Sequence, residues 1–210
     1  MNKILFGALG VLTLGAIAAA ALIQFGSVDF AADVPHSPAL YSLIGWAKDR
    51  SIESRISNIV PPGDLSDTGR IRRGAGNYNA MCAQCHLSPV VPDSEIRKGL
   101  YPQPPNLTLS AGSADVAQSD AGRFWIIKHG IKSSGMAAWG KAGIEDAAIW
   151  DLAAFLKVLP NLSPDQYQRE VKASGGHSHE GMTGEGSGKS KTHGHNHPHD
   201  TKPHARQPIN

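Results

Sequence analysis

One five-residue motif, Cys82-Ala83-Gln84-Cys85-His86, constrains the chain most, and it contains both cysteines of the 210-residue sequence. On a helical turn the two cysteines point to the same side, so their thiols can add to the two vinyl groups on one edge of a porphyrin. His86 then lies beneath the iron and serves as its proximal ligand. The motif therefore predicts one covalently attached haem c.

Two other kinds of site use a Cys-x-x-Cys pair. A thioredoxin-like redox pair needs a strand-rich βαβ context, and a zinc ribbon needs a second ligand pair of similar spacing. The sequence shows neither context, and two cysteines in one motif do not make a disulfide framework. These comparisons favour the haem interpretation.

The composition is consistent with a core that a cofactor completes. Aromatic residues make up only 6% of the chain, and 23 glycines and 14 prolines separate short apolar runs. A large apolar disc would bury area that stabilises the fold by about 25 cal/mol per Å². The formal net charge of +2 supplies no broad positive field, which argues against nucleic acid as a partner.

The second axial ligand decides what such a haem does. Met136 follows Gly135 in a polar loop, and a thioether there would raise the reduction potential and leave no open position for a substrate. His129 is the rival ligand, although its place at the end of a helix before Gly130 suits a dipole partner or a propionate neighbour. We therefore expect ligation by His86 and Met136, with His129 as the alternative.

Several residues around the motif resemble the class I cytochromes c, in particular the membrane-anchored, single-haem bacterial type. Gly74 and Tyr78 match the family's first helix, in which a small residue allows close crossing by the last helix. Trp150 and Phe155 match the aromatic positions of that last helix. The resemblance covers roughly residues 67–160 and implies a small all-α cytochrome c domain around one haem.

The same resemblance extends to the loop that begins at Tyr101 and ends at Leu107, which is similar to the family's Pro-x-Leu segment. It implies that the Pro105 carbonyl accepts a hydrogen bond from the His86 ring and that Leu107 packs on the haem. The chain departs from the family at two positions. Leu87 stands where many relatives have glycine, and Ala137 where proline commonly follows the ligand methionine.

Apolar periodicity and capping residues predict three main helices in the domain at 67–160, over about Thr68–Gln84, Asp120–His129 and Ile144–Val158. Pro160 ends the third. The sequence Ser163-Pro164-Asp165-Gln166 has the pattern of a capping box and predicts a short helix within residues 161–172.

Residues 1–27 contain a run of 20 uncharged residues from Ile4 to Ile23, which is the length that a membrane-spanning helix needs. A cleaved leader is the alternative, but its apolar run is usually shorter. Lys3 precedes the run, and Asp29 and Asp33 follow it. This bias predicts a single-pass anchor with a cytoplasmic N-terminus and the haem domain on the periplasmic side.

Residues 28–66 are predicted to be a linker with an amphipathic helix that packs on the following domain. Its apolar positions are Leu43, Trp46, Ile52, Ile56 and Ile59.

Residues 173–210 have no apolar periodicity and are predicted to be disordered. This tail holds seven of the ten histidines. Its alternating His193, His195, His197 and His199 are a candidate site for zinc or copper, and a solvated linker is the alternative interpretation.

Together these features predict a periplasmic-side, one-electron carrier with donor and acceptor proteins as partners, acting alone or as a subunit of an oxidoreductase complex. The sequence shows no nucleophile with a positioned base, no carboxylate pair and no phosphate loop, so we do not expect an enzyme in its own right. Two alternatives stay open. One is a five-coordinate haem subunit that binds a gas or peroxide, and the other is a metal-binding protein that acts through its tail.

Overall fold

A computed structural model describes residues 2–27, 29–109 and 116–180 of the chain. These residues are helical and include no β-strand, which confirms the all-α prediction. The helices are α1 (Asn2–Gln24), α2 (Pro38–Ile56), α3 (Thr68–Met81), α4 (Ala83–His86), α5 (Glu95–Gly99), α6 (Asp120–His129), α7 (Asp146–Val158) and α8 (Pro164–Ala173). Two short 3₁₀ turns cover Val116–Gln118 and Leu159–Asn161.

Helix α1 is long and apolar enough to cross a membrane over Lys3–Gln24, and that segment is not buried against any other described part of the chain. At 1.5 Å per residue, a helix of 22 residues spans about 33 Å, which matches the hydrocarbon thickness of a bilayer. The N-terminal helix therefore fits the membrane anchor that the sequence predicts.

Helix α2 begins where the Ser37 hydroxyl accepts a hydrogen bond from the Leu40 amide, with proline in the first turn. Its second half packs on the domain through Ile52, which is buried. The prediction that Leu43 and Trp46 pack there too is wrong, because both are well exposed. Nine positions separate Leu43 from Ile52, about two and a half helical turns, so these two side chains lie on opposite sides of α2.

The centre of the domain is the crossing of α3 and α7. A Cβ atom on Gly74 would lie 2.1 Å from the Asp151 carbonyl oxygen and 2.7 Å from the Phe155 Cβ, so the two backbones meet where only glycine fits. Tyr78 and Phe155 are both buried beside this contact, with their ring centroids 5.4 Å apart. The close crossing at Gly74 is thus confirmed.

A buried ion-pair cluster joins the same two helices. Asp151 on α7 is fully buried, and its carboxylate accepts hydrogen bonds from Arg70 Nη1 at 2.8 Å and from Arg73 Nε at 2.7 Å. Arg70 also donates through Nη2 to Asp64, 2.9 Å away. Because Arg70 is itself buried, loss of the Asp151 carboxylate would leave a charge inside the protein with one partner fewer.

Helix boundaries differ from the prediction at two places. Helix α3 ends at Met81 rather than Gln84, because the dihedral angles of Cys82 (φ −115°, ψ −34°) are distorted from those of a regular helix before α4 begins at Ala83. Helix α7 begins at Asp146 rather than Ile144, whose amide instead bonds to the Trp139 carbonyl in the preceding loop.

Helix α6 has the predicted ends, and α8 begins at the predicted capping box but runs to Ala173, one residue beyond the predicted range. Ser119 caps α6, and Gly130 ends it with a positive φ of 64°. In α8, Ser163 and Gln166 form a reciprocal capping box around a proline in the first turn.

The chain continues to make contacts beyond α8, where disorder was expected from residue 173. Within residues 174–180, the Ser178 amide donates to the Asn77 side-chain oxygen at 2.8 Å, and His177 Nδ1 lies 3.1 Å from the same oxygen. A Cβ on Gly76 would lie 2.3 Å from Ser174 Oγ, so this segment rests directly on α3. The predicted tail site at His193, His195, His197 and His199 lies outside the described residues.

Candidate haem-binding site

The two cysteines lie at the junction of α3 and α4. The Cys85 amide donates to the Cys82 carbonyl at 3.1 Å and the His86 amide to the same oxygen at 2.8 Å, so one helical turn joins the three residues. Both thiols are free and half-buried. Burial, with a smaller contribution from Cys85, raises the pKa of the Cys82 thiol to about 12. The Cys82 thiol is therefore protonated at physiological pH.

His86 is oriented by the loop that contains Pro105. Its Nδ1 atom lies 2.9 Å from the Pro105 carbonyl oxygen, which can only accept, so Nδ1 carries the proton and donates. Burial lowers the pKa of His86, although the Pro105 bond acts in the opposite direction. The ring is thus neutral near pH 7, and Nε2 retains a lone pair for a metal.

Three hydrogen bonds that involve backbone atoms hold the Pro105 loop in place. The Leu107 amide donates to the His86 carbonyl at 3.1 Å, and Arg97 Nε donates to the Pro104 carbonyl at 3.0 Å. The Thr108 amide donates to the Asn106 side-chain oxygen at 3.0 Å, which makes a local turn. Leu107 itself is half-buried and packs against the core.

Leu87, directly after His86, has a strained backbone. Its φ is 64°, in a region that favours glycine, and its side chain is buried. The Tyr78 hydroxyl donates to the Leu87 carbonyl at 2.6 Å and so holds this peptide in place from α3. Sequence reasoning did not identify this bond; the signal that could have found it is the hydroxyl of Tyr78, because a buried hydroxyl needs a partner.

Met136 lies in the loop after α6. The loop is closed by two bonds, from the Met136 amide to Ser134 Oγ at 3.1 Å and from the Ile131 amide to the Met136 carbonyl at 3.3 Å. A Cβ on Gly130 would lie 2.6 Å from the Met136 carbonyl oxygen, so glycine is required there for this turn.

The Met136 loop contacts the Pro105 loop. A Cβ on Gly135 would lie 2.8 Å from Leu100 Cδ2, and Leu100 opens the segment that leads to Pro105. The tertiary structure therefore brings together the loop that orients His86 and the loop that bears Met136, a contact that sequence reasoning did not identify.

His129, the alternative axial ligand, is placed differently. It is the last residue of α6, it is exposed, and its ring centroid lies 4.9 Å from that of Trp125. It lies outside the closed loop around Met136.

The donor set fits a covalent haem c. The thiols of Cys82 and Cys85 lie one helical turn apart. The adjacent His86 imidazole is neutral, and its Nε2 atom is not used by the hydrogen bond to Pro105. The thioether of Met136 lies on a loop that contacts the Pro105 loop. Among residues 2–27, 29–109 and 116–180, no group of three or more histidine, cysteine, aspartate or glutamate side chains is arranged to hold a metal ion by itself.

A helical domain built on a Gly74 crossing and a Cys-x-x-Cys-His turn defines a class I cytochrome c. Comparison with protein families supports this assignment, because residues 69–156 match the family described as cytochrome c oxidase, cbb3-type, subunit III. Residues 69–156 are therefore a class I cytochrome c domain. No curated protein and no solved structure gives a significant match to the chain.

Proposed function

We propose that this protein carries single electrons on the periplasmic side of the cytoplasmic membrane, with a haem c attached to Cys82 and Cys85 and ligated by His86 and Met136. A cytochrome c domain implies an electron-transfer haem protein, and the choice of His86 and Met136 as iron ligands is our proposal. The observation that carries it is the hydrogen bond from His86 Nδ1 to the Pro105 carbonyl, 2.9 Å long, because it dedicates the opposite ring nitrogen to a metal.

When bound, haem c supplies a reversible one-electron change at iron. The Pro105 carbonyl holds His86 in one tautomer and increases the basicity of its free nitrogen. Met136, in a loop closed by two hydrogen bonds, would supply the second iron ligand and exclude substrates. Because a backbone carbonyl of a neighbouring loop holds His86 and hydrogen bonds within its own loop hold Met136, the ligands can keep their positions while the charge of the iron changes, as an electron carrier requires.

Helix α1 and the charges that flank it support the proposed location. Lys3 before the span and Asp29 and Asp33 after it favour a cytoplasmic N-terminus. The family match to an oxidase subunit supports redox proteins of a membrane complex as partners, with this chain as a carrier subunit and not the catalytic one.

Visible spectroscopy and redox titration of the purified holoprotein test the ligand pair. We expect a low-spin spectrum with the weak band near the red edge that marks methionine ligation. Met136→Ala should lose that band, bind carbon monoxide and have a lower reduction potential, since the thioether raises the potential. Met81→Leu is the matched control, because Met81 is half-buried against the core.

Each competing ligation has its own result. A wild-type holoprotein that is high-spin and binds carbon monoxide would replace the carrier by the gas- or peroxide-binding alternative. A low-spin spectrum that survives Met136→Ala but not His129→Ala would assign the second ligand to His129. A colourless protein with its unmodified mass would overturn the proposal as a whole.

A further inference from the structure

The first half of α2 presents an apolar stripe to solvent. Leu40, Leu43 and Ile44 are 44%, 59% and 48% exposed, and their spacing places them on one side of the helix. Ala47 continues the stripe by one turn, and Trp46 beside it is 64% exposed. Exposed apolar residues are ordinary when scattered, but a continuous stripe marks an interaction surface.

The cytochrome domain does not cover this stripe. Helix α2 packs on α6 and on the turn at Val116–Gln118, with Ile52 as its one buried residue. Leu43 lies on the opposite side from Ile52, and Leu40, Leu43 and Ile44 are all at least 44% exposed, so none of the residues that the structure describes covers the stripe.

The charge along α2 changes abruptly at its midpoint. Residues 38–47 contain no charged side chain. The charged residues all lie in the second half and are Lys48, Asp49, Arg50, Glu53 and Arg55. The uncharged half is therefore the half that follows α1 in the chain.

The connection between α1 and α2 is short. Residues 25–37 separate Gln24 from Pro38. At no more than about 3.5 Å per residue, this tether reaches roughly 45 Å even when fully extended. A membrane that α1 crosses thus stays within reach of the apolar half of α2 at all times, which no soluble partner does.

We propose that the first half of α2 lies in the lipid–water interface of the membrane that α1 crosses. Leu40, Leu43 and Ile44 enter the boundary between headgroups and acyl chains, and Trp46 lies at headgroup level, where tryptophan is enriched. The anchor and α2 then make a two-point attachment. Such an attachment limits rotation of the haem domain on its tether and presents a constant side of it to redox partners in the membrane.

Spin labelling of the full-length holoprotein in phosphatidylcholine–phosphatidylglycerol vesicles tests the proposal. Ile44→Cys places the label on the stripe, and Arg50→Cys, on the charged half, is the matched control. We expect the ratio of oxygen accessibility to that of a water-soluble nickel complex to be several-fold higher at position 44 than at position 50. Equal ratios would overturn the proposal. So would protection of position 44 from both reagents, which would indicate a protein partner or a second copy of this chain.

A second experiment uses no label. A protease site placed within residues 29–34 allows the tether to be cut after the holoprotein has been reconstituted into the same vesicles. We expect the haem fragment to stay partly bound, and a triple variant (Leu40→Ser, Leu43→Ser, Ile44→Ser) to bind on the order of tenfold less. Complete release of both fragments would overturn the proposal, and the visible spectrum checks that each variant is folded.

The proposal assumes that α1 is retained, and the mass of the membrane-purified holoprotein tests that point separately. If α1 were cleaved, the processed protein and its triple variant would be compared in the same vesicle-binding measurement. Failure of the anchor and failure of the α2 interface would therefore give different results.

Discussion

The helical side of the cytochrome domain and its loop side are built in different ways. On the helical side, α3, α7 and α8 pack with a backbone contact at Gly74 and with the buried carboxylate of Asp151 between Arg70 and Arg73. On the loop side, which comprises residues 87–109 and 130–143, individual hydrogen bonds and small apolar contacts hold the segments that carry Pro105 and Met136.

This difference shows where precision is needed and how the fold supplies it. Many atoms determine the helical side at once, so its geometry is over-determined. Of the proposed haem-binding residues, Met136 lies on the loop side, and Cys82, Cys85 and His86 lie at its border. The position of each of these side chains depends on one or two hydrogen bonds. We infer that the haem completes the loop side and that the helical side serves as its scaffold. Four predictions test this contrast.

The largest effect should follow from preventing haem attachment. A Cys82→Ala, Cys85→Ala double variant should be largely unfolded, because the sparse apolar core then loses the disc that fills it. Far-ultraviolet circular dichroism measures the remaining helicity. Native helicity in the double variant would show that the helical side folds without the haem.

Gly74→Ala should disrupt the scaffold at its centre. The new Cβ would meet backbone atoms of α7 that cannot move independently, so the free energy of unfolding should fall by about 3 kcal/mol. Urea denaturation of the holoprotein measures this. Gly63→Ala is the control, because its Cβ would meet nothing within 4 Å, and it should change stability by less than about 0.5 kcal/mol. Equal effects of the two variants would mean that the α3–α7 crossing is not close.

Tyr78→Phe should affect the connection between the two sides. It removes the 2.6 Å bond to the Leu87 carbonyl and should cost about 1–2 kcal/mol, with faster amide exchange in the residues after His86. Tyr41→Phe is the control, because Tyr41 is exposed on α2. If exchange after His86 is unchanged in Tyr78→Phe, the strained peptide at Leu87 is held by other contacts.

The smallest effect concerns the segment at 174–180. Burial, followed by the proximity of His179, lowers the pKa of His177 below its ordinary value of 6.5. The released segment therefore binds the proton more readily than the docked one, so docking on α3 is fully stable above pH 6.5 and weakens as the pH falls below it. Amide exchange at Ser178 should accelerate on acidification in the wild type, and His177→Gln should remove that pH dependence. The same dependence in His177→Gln would assign it to another group.

Local signals in the sequence determined much of this protein. The spacing of Cys82, Cys85 and His86, the caps of α6 and the capping box of α8 each involve residues within one or two turns of one another. The apolar run of α1 is equally local. Such features depend on short-range geometry and on composition, which do not change with the rest of the fold, and the structure has them at the predicted positions.

Only the tertiary structure decided how distant segments meet. The exposure of Leu43, the docking of residues 174–180 on Asn77 and the contact of Gly135 with Leu100 each depend on parts of the chain far apart in sequence. Periodicity indicates that a helix has an apolar side, but not which partner that side will find. That choice depends on the packing of the whole domain, where many contacts must be satisfied together.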